Sequence, residues 1–283
     1  MSADAAPLPA PGVWTGLRKY AKIFRVSLTE RLVYRFDFFL ATLLRFLPMI
    51  TTILLWQAIY AGSEHKKFAG FALRDMIAYL LLVHISRMFS SMPGLAHGIA
   101  RDIRDGTLKK YLLQPLDMIA YLVSYRMAHK AAYIATTALP YALLFFLYRD
   151  NFDGLPDWGT LAAYALSLVM SFFVGFFFEA CIGMLGFWML EVTSLLYILN
   201  TINFFLSGHL FPIDLLPEPY SQVLRWLPFQ YLAYFPAAVF LGKVSGAELA
   251  WGLAGQAGWA VVLVVLSRLL YRAGLRRYSA FGG

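Results

Sequence analysis

GTLAAYALSLVMSFFVGFFFEACIGMLGFWMLEVTSLLYILNTINFFLS runs from Gly159 to Ser207 with only two charges, Glu179 and Glu191. As one helix it would be about 73 Å long at about 1.5 Å per residue. A bilayer core is only about 30 Å thick. The block is therefore two membrane helices with a tight reversal. The glycines and the charge of GMLGFWMLE place that reversal at 183–191.

Composition extends this reading to the whole chain. Of 283 residues, 60% are hydrophobic and 14% are charged, against roughly 25% charged in a soluble domain. A soluble protein must clothe its exterior with polar groups, whereas a bilayer removes that requirement. Further apolar segments lie at about 38–60, from Leu73 to about 99, at 119–148 and at 249–271. With the two helices of the central block, the expectation is an all-α integral membrane protein with six transmembrane helices.

The +8 charge is clustered rather than spread. Residues 1–35 carry Arg18, Lys19, Lys22, Arg25, Arg31 and Arg35; residues 101–130 and the basic tail at 268–283 hold two further groups. Positive charge marks cytoplasmic loops, so both termini, 101–117 and 183–191 are expected inside. The loops at 61–75, 149–157 and 208–248 then face out, although Lys66, Lys67 and Arg74 oppose the rule. The charge marks the cytoplasmic face of a membrane protein, with membrane lipids as partners and no nucleic acid expected.

Several segments fall outside the spans. Residues 1–12 are Ala/Pro-rich and expected to be disordered. Residues 13–35 place Leu17, Tyr20, Ile23, Phe24 and Leu28 at helical spacing between basic residues, the pattern of an amphipathic interfacial helix. The membrane domain is 36–272 and the tail is 273–283. Gly94 and Gly98 form a G-x-x-x-G that permits close helix contact. Residues 208–241 hold Pro212, Pro217, Pro219, Pro228 and Pro236. Proline at that density prevents one continuous helix, and short helices dipping into the membrane surface fit best.

Catalytic motifs are missing. The Gly242-Lys243 pair is followed by Val244, with Ala237 where a P-loop needs its first glycine. There is no H-E-x-x-H and no G-x-S-x-G; the five histidines are scattered, so no metal site is expected. Cys181 stands alone and cannot form an intrachain disulfide. Asp150, Asp153 and Asp157 read as a solvated loop. No hydrophobic signal-peptide core occupies the first 20 residues. Charged groups inside spans are costly and are default functional candidates. These are Arg45, Arg87 and Glu179, either arginine being a possible partner for Glu179 in a structural pair or a gate. Asn200 and Asn203 add amides to the fifth span, for a subunit interface or a substrate path.

Two ordered stretches carry a resemblance. Arg101, Asp102, Arg104, Asp105, Gly106, Thr107, Leu108 and Lys109, followed by Tyr111-Leu112-Leu113-Gln114-Pro115-Leu116, resemble the cytoplasmic "G-T-L … L-L … P" segment of ABC transporter type-2 permeases. Ser207, Gly208, Phe211, Pro212, Pro217, Pro228 and Phe229 resemble that family's outer "S-G … F-P … L-P … L-P-F" signature. The Phe187-Trp188 turn and Leu275-Arg276-Arg277-Tyr278 resemble one branch of it. The family commonly has Glu before the cytoplasmic glycine; here Asp102 and Asp105 keep the charge.

The resemblance implies a permease subunit of an ABC exporter, working as a dimer with a second copy or paralogue. It implies docking of a separate ABC ATPase subunit on a coupling helix within 97–117. It also implies outer re-entrant helices at 208–241 and an amphipathic or lipid-like substrate. No cofactor is expected on this chain; ATP and Mg belong to the partner. The bacterial inner membrane is the expected location. Two other classes are a polytopic enzyme acting on lipids, which needs a convergent polar site, and a secondary transporter, which favours internal repeats. Neither feature is evident.

Overall fold

The computed structural model describes residues 13–33, 35–64, 67–189 and 192–278, without the side chains of 13–16, 35–39, 41–43 and 45. The segments 1–12 and 279–283 and the side chain of Arg45 lie outside that description. Eleven α-helices are described: α1 Val13–Val33, α2 Arg35–Ala61, α3 Leu73–Ser90, α4 Leu95–Arg104, α5 Lys109–Leu112 and α6 Met118–Leu147, followed by α7 Trp158–Met184, α8 Thr193–Leu206, α9 Tyr220–Trp226, α10 Tyr234–Phe240 and α11 Gly246–Arg277. A two-stranded hairpin, β1 Lys67–Phe68 with β2 Phe71–Ala72, joins α2 to α3.

The central apolar block folds back as its length requires. α7 ends at Met184, a short 3-10 turn covers Leu185–Phe187, and α8 starts at Thr193. Among the described residues, four stretches are long and apolar enough to cross a membrane: Leu73–Arg104, Met118–Leu147, Trp158–Phe187 and Gly246–Arg277. Phe46–Ala61, the end of α2, and Thr193–Leu206 are shorter apolar helices.

The second apolar segment, expected as a span to about residue 99, runs on to Arg104 and is built of two helices, α3 and α4. It breaks at Ser91–Gly94, where Ser91 is extended and Gly94 takes the left-handed φ of 72°. Pro93 has no backbone N–H and its ring clashes with a preceding turn. Two α6 cations bind the carbonyls at the break. Lys130 Nζ donates to Met88 O and, at 2.5 Å, to Ser91 O. Arg126 Nη1 donates to Pro93 O at 3.0 Å. Cations at a helix C-terminus also meet the negative end of its dipole.

α7 is the central strut and packs against α11, α3, α4 and α10. Its glycines permit this. A Cβ on Gly175 would collide with the Ser90 carbonyl, and one on Gly183 would lie 2.7 Å from Ala96 O. Gly94 and Gly98, whose spacing suggests helix contact, meet nothing within 4 Å. Where α3 and α4 meet α7, the close-contact glycines are therefore on α7 and not in the G-x-x-x-G; Gly252, Gly255 and Gly274 do the same for α11. A buried Gln256 links α11 to α7: it accepts from Ser167 Oγ at 2.9 Å and donates to Ser167 O at 2.9 Å.

The loops sort to two ends. At one end Arg74 pairs with Asp153 at 2.7 Å, and Lys243 Nζ reaches Gly70 O at 3.4 Å. Arg74, which opposes the charge rule, is thus matched by an acid from the neighbouring loop. At the other end Lys19 Nζ donates to Pro115 O at 2.6 Å, and Phe187 meets Tyr278 with ring centroids 6.1 Å apart.

Candidate functional site

The segment 95–117 is a built hairpin rather than a solvated loop. α4 is strongly amphipathic: Leu95, Ala96, Ile99, Ala100 and Ile103 are buried, while Arg101 and Arg104 are exposed. Gly106, at φ 69°, reverses the chain as a helix-ending glycine does. The Leu108 N–H then donates back to Asp102 O at 2.9 Å. Asp102 organises the turn. Its carboxylate accepts from Thr107 Oγ1 at 2.8 Å and pairs with Lys110 at 2.8 Å. Leu108 is fully buried and anchors the far side. Burial, with Asp102 alongside, holds the Tyr111 phenol well above its usual range, so it stays neutral.

The sequence-level set therefore divides. Asp102, Gly106, Thr107 and Leu108 build the hairpin. Arg101, Arg104, Asp105 and Lys109 form its exposed charged rim, with Arg104 and Asp105 at 3.3 Å.

Asp117 sits where this hairpin enters α6. Its side chain caps α6 by accepting from Ala120 N at 2.8 Å. Its backbone N–H donates to Tyr20 OH of α1 at 3.2 Å, and its carboxylate pairs with Arg268 of α11 at 2.5 Å.

Deeper in the bundle, a cavity of 370 Å³ opens between α2, α3, α6 and the end of α8. Arg87, His84, His209, Tyr133 and Phe204 are among its lining residues. The His84 and His209 rings lie 6.1 Å apart, and Phe204 stands 4.3 Å from His209. His209 Nδ1 is buried without a hydrogen-bond partner, as is Asn203 Oδ1 near by in sequence. Glu179 accepts a backbone hydrogen bond from Ala96 and feels the charges of Arg87 and Arg126. Arg87 and Glu179 influence each other electrostatically but form no ion pair within 4 Å among the described residues. Arg45 cannot be placed in it, because its side chain is outside the described set. Asn200 is exposed on α8, away from Asn203.

The proline-rich stretch is tied into the bundle. Gly208 takes φ 77°, and Tyr79 OH donates to its carbonyl at 2.5 Å. Ser90 Oγ donates to Leu232 O, and Ser171 Oγ to Tyr231 O, each at 2.7 Å. Pro212 and Pro228 are buried, Phe211 and Phe229 are half-buried, and Pro217 is exposed. α10 is buried from Tyr234 to Val239.

Sequence reasoning missed the histidine pair and the α6 cations Arg126 and Lys130. The histidines are 125 positions apart, so only helix rotation brings them together. Arg126 and Lys130 did carry a signal: two cations four residues apart occupy one helix face.

An apolar helical bundle with a charged hairpin at one end and a cavity reached by Arg87 and two histidines is the architecture of a multi-pass membrane protein. A family model, ABC-2 family transporter protein, matches residues 46–282, and the chain belongs to that family. It is therefore a membrane permease component of an ABC transporter, a class that associates with an ABC ATPase subunit. No curated protein matches the chain.

Proposed function

We propose that this chain is the pathway-forming subunit of an ABC exporter, that it works as a dimer, and that it moves an amphipathic or lipid-like substrate outward. ATP is hydrolysed on a separate subunit that docks on the charged rim of 97–117. The observation that carries this reading is the α4–α5 hairpin. A solvated connection needs no internal ion pair, no buried leucine anchor and no amphipathic helix bolted to the central strut. A lever that must transmit displacement needs all three, because a partner shifts an equilibrium only through contacts that differ between its two states.

Six crossings follow from α2, α3, α6, α7, α8 and α11, with α1 along the inner surface. The Arg74–Asp153 contact at one end and the Lys19–Pro115 contact at the other support this sidedness. Both termini then face the cytoplasm of a bacterial inner membrane. α8 has 14 residues, about 21 Å at about 1.5 Å per residue, short of a full crossing. Residues 208–241 complete it as re-entrant structure. Their tie to Ser90, Ser171 and Tyr79 supports this, since irregular backbone at membrane depth must be buried in protein. The 370 Å³ cavity is the inward part of the pathway.

The test uses the rim and spares the residues that build the turn. With Arg104→Glu and Asp105→Arg together, co-purification of an ABC ATPase that associates with the wild-type chain, and its permease-stimulated activity, are expected to be lost, while the permease keeps its melting temperature. Intact coupling in that double variant would sink the docking assignment. Asp102→Arg is the wrong probe, because it destroys the hairpin itself.

A further inference from the structure

A second cavity, of 240 Å³, lies at the other side of the α4–α5 hairpin, against the first turns of α6. Arg101, Lys110 and Arg126 line it, together with Asp102, Tyr111 and Tyr125. Asp102 is committed to Lys110 and Thr107. Arg101 is exposed and has no ion pair among the described residues. Arg31 of α1 bonds to Tyr125 OH and stacks 5.3 Å from that ring's centroid, so a further guanidinium stands behind the wall. Arg31 and Arg126 are close enough to repel each other. The Nε atoms of both are buried without a hydrogen-bond partner.

A buried guanidinium donor without an acceptor is costly, and two adjacent ones ask for an anion. Phosphate oxygens suit guanidinium forks best. Glu179 is the one acid facing Arg126 from α7, and it is shared with Arg87.

What surrounds the cavity says which phosphate. Met127, Ala131, Ala135 and Leu139 follow at four-residue spacing along α6, starting beside Arg126. All are exposed except half-buried Ala131. Such a stripe is one helix face; it is apolar and runs from the basic cavity toward the membrane middle. A free phosphate has no use for it, whereas the acyl chains of a phospholipid would lie along it. Basic pockets between membrane helices at the cytoplasmic side are general headgroup sites.

We infer that Arg101 and Arg126, backed by Arg31, form a binding site for the phosphodiester headgroup of an anionic phospholipid, with its chains on the Met127–Leu139 face. The inner-leaflet placement rests on the orientation proposed above; the site itself does not depend on what the permease transports. A lipid there would touch α1, α4, α5 and α6 at once.

The experiment takes the full chain in neutral detergent, without its ATPase. Dioleoyl-phosphatidylglycerol and dioleoyl-phosphatidylcholine are titrated in mixed micelles, reading retained lipid by native mass spectrometry and the melting temperature. Phosphatidylglycerol is expected to bind and raise the melting temperature, and phosphatidylcholine to do neither. Arg126→Gln and Arg101→Gln are each expected to weaken phosphatidylglycerol binding about fivefold, and the double variant roughly 25-fold. Arg276→Gln with Arg277→Gln, in the exposed end of α11, should leave binding unchanged. Arg101 holds no structural bond of its side chain, so its variant reports even if Arg126→Gln fails to fold. Equal binding of the two lipids, or wild-type affinity in Arg101→Gln, overturns the inference. Full displacement by millimolar inorganic phosphate overturns the lipid and leaves a small-anion site. Because no nucleotide or partner is present, loss of the exporter reading would not alter any of these outcomes.

Discussion

Gly175 and Gly98 look alike in the sequence and are opposite in the structure. Gly175 faces the Ser90 carbonyl with no room for a methyl group, whereas Gly98 lies in a helix with open space beside it. Gly175→Ala is expected to cost about 3 kcal/mol, the upper end of overpacking, because the neighbour is backbone and cannot rotate away. Gly98→Ala is expected to gain about 0.5–1 kcal/mol from helix propensity. Melting temperatures in detergent should move in opposite directions; a drop in both would refute the packing argument. Asp157 offers a residue-level pH test. Its exposed carboxylate caps α7, accepting from Thr160 N at 3.1 Å and Thr160 Oγ1 at 2.7 Å, and these bonds hold it below its ordinary value of 3.8. A carboxylate depressed on folding contributes stability above its unfolded pKa and loses it as pH falls through the lower folded one. Amide exchange in the first turn of α7 should therefore keep its protection at pH 5 and accelerate, relative to mid-helix amides, below about pH 3.8. Asp157→Ala should show the fast behaviour at every pH.

At the scale of elements, the break between α3 and α4 decides how the hairpin end of the bundle is built. The chain there keeps the Ser91–Arg87 and Leu95–Met92 backbone hydrogen bonds, and the α6 cations bind carbonyls of Met88, Ser91 and Pro93 around them. Lys130→Met keeps the stem and removes the donor. It should cost about 2–3 kcal/mol, since hydrogen bonds from a charged donor are worth more than neutral ones, and limited proteolysis should then cut near residue 93. Unchanged cleavage would show that Pro93 alone sets the break. This is also where the sequence was least legible. Pro93-Gly94 was visible, but apolar composition runs across it, so the segment read as one long span. The α7–α8 reversal was legible because a length of chain exceeding any bilayer leaves no other solution. The amphipathic character of 95–104 was partly masked by the same hydropathy that identified the span. The functional split between Asp102 and Asp105 was not legible at all, since two acids three positions apart differ only in which way the turn points them.

At the scale of the whole molecule, α8 carries the outstanding question. Asn200 is exposed on a helix that also exposes Tyr197, Ile198 and Phe205. A carboxamide facing hydrocarbon lacks partners, and a second copy would supply them. In a Cys181→Ala background, Asn200→Cys is expected to give a cross-linked dimer on mild oxidation in native membranes, and Leu139→Cys on α6 is not. Monomer only from Asn200→Cys would overturn the placement of the proposed dimer contact on α8. The overall class was readable from composition and order of motifs, but the cavity was not, because it is assembled from helices whose rotation no single sequence reports. Asp117 has one more consequence. It joins α1, α6 and α11 through three different atoms of one residue, so the inner ends of those helices share a common knuckle. On the docking proposed above, motion arriving from the hairpin at residue 116 would have no single helix to follow. It would have to turn three of them as one block or break an ion pair first, a step with a threshold and not a gradual bend.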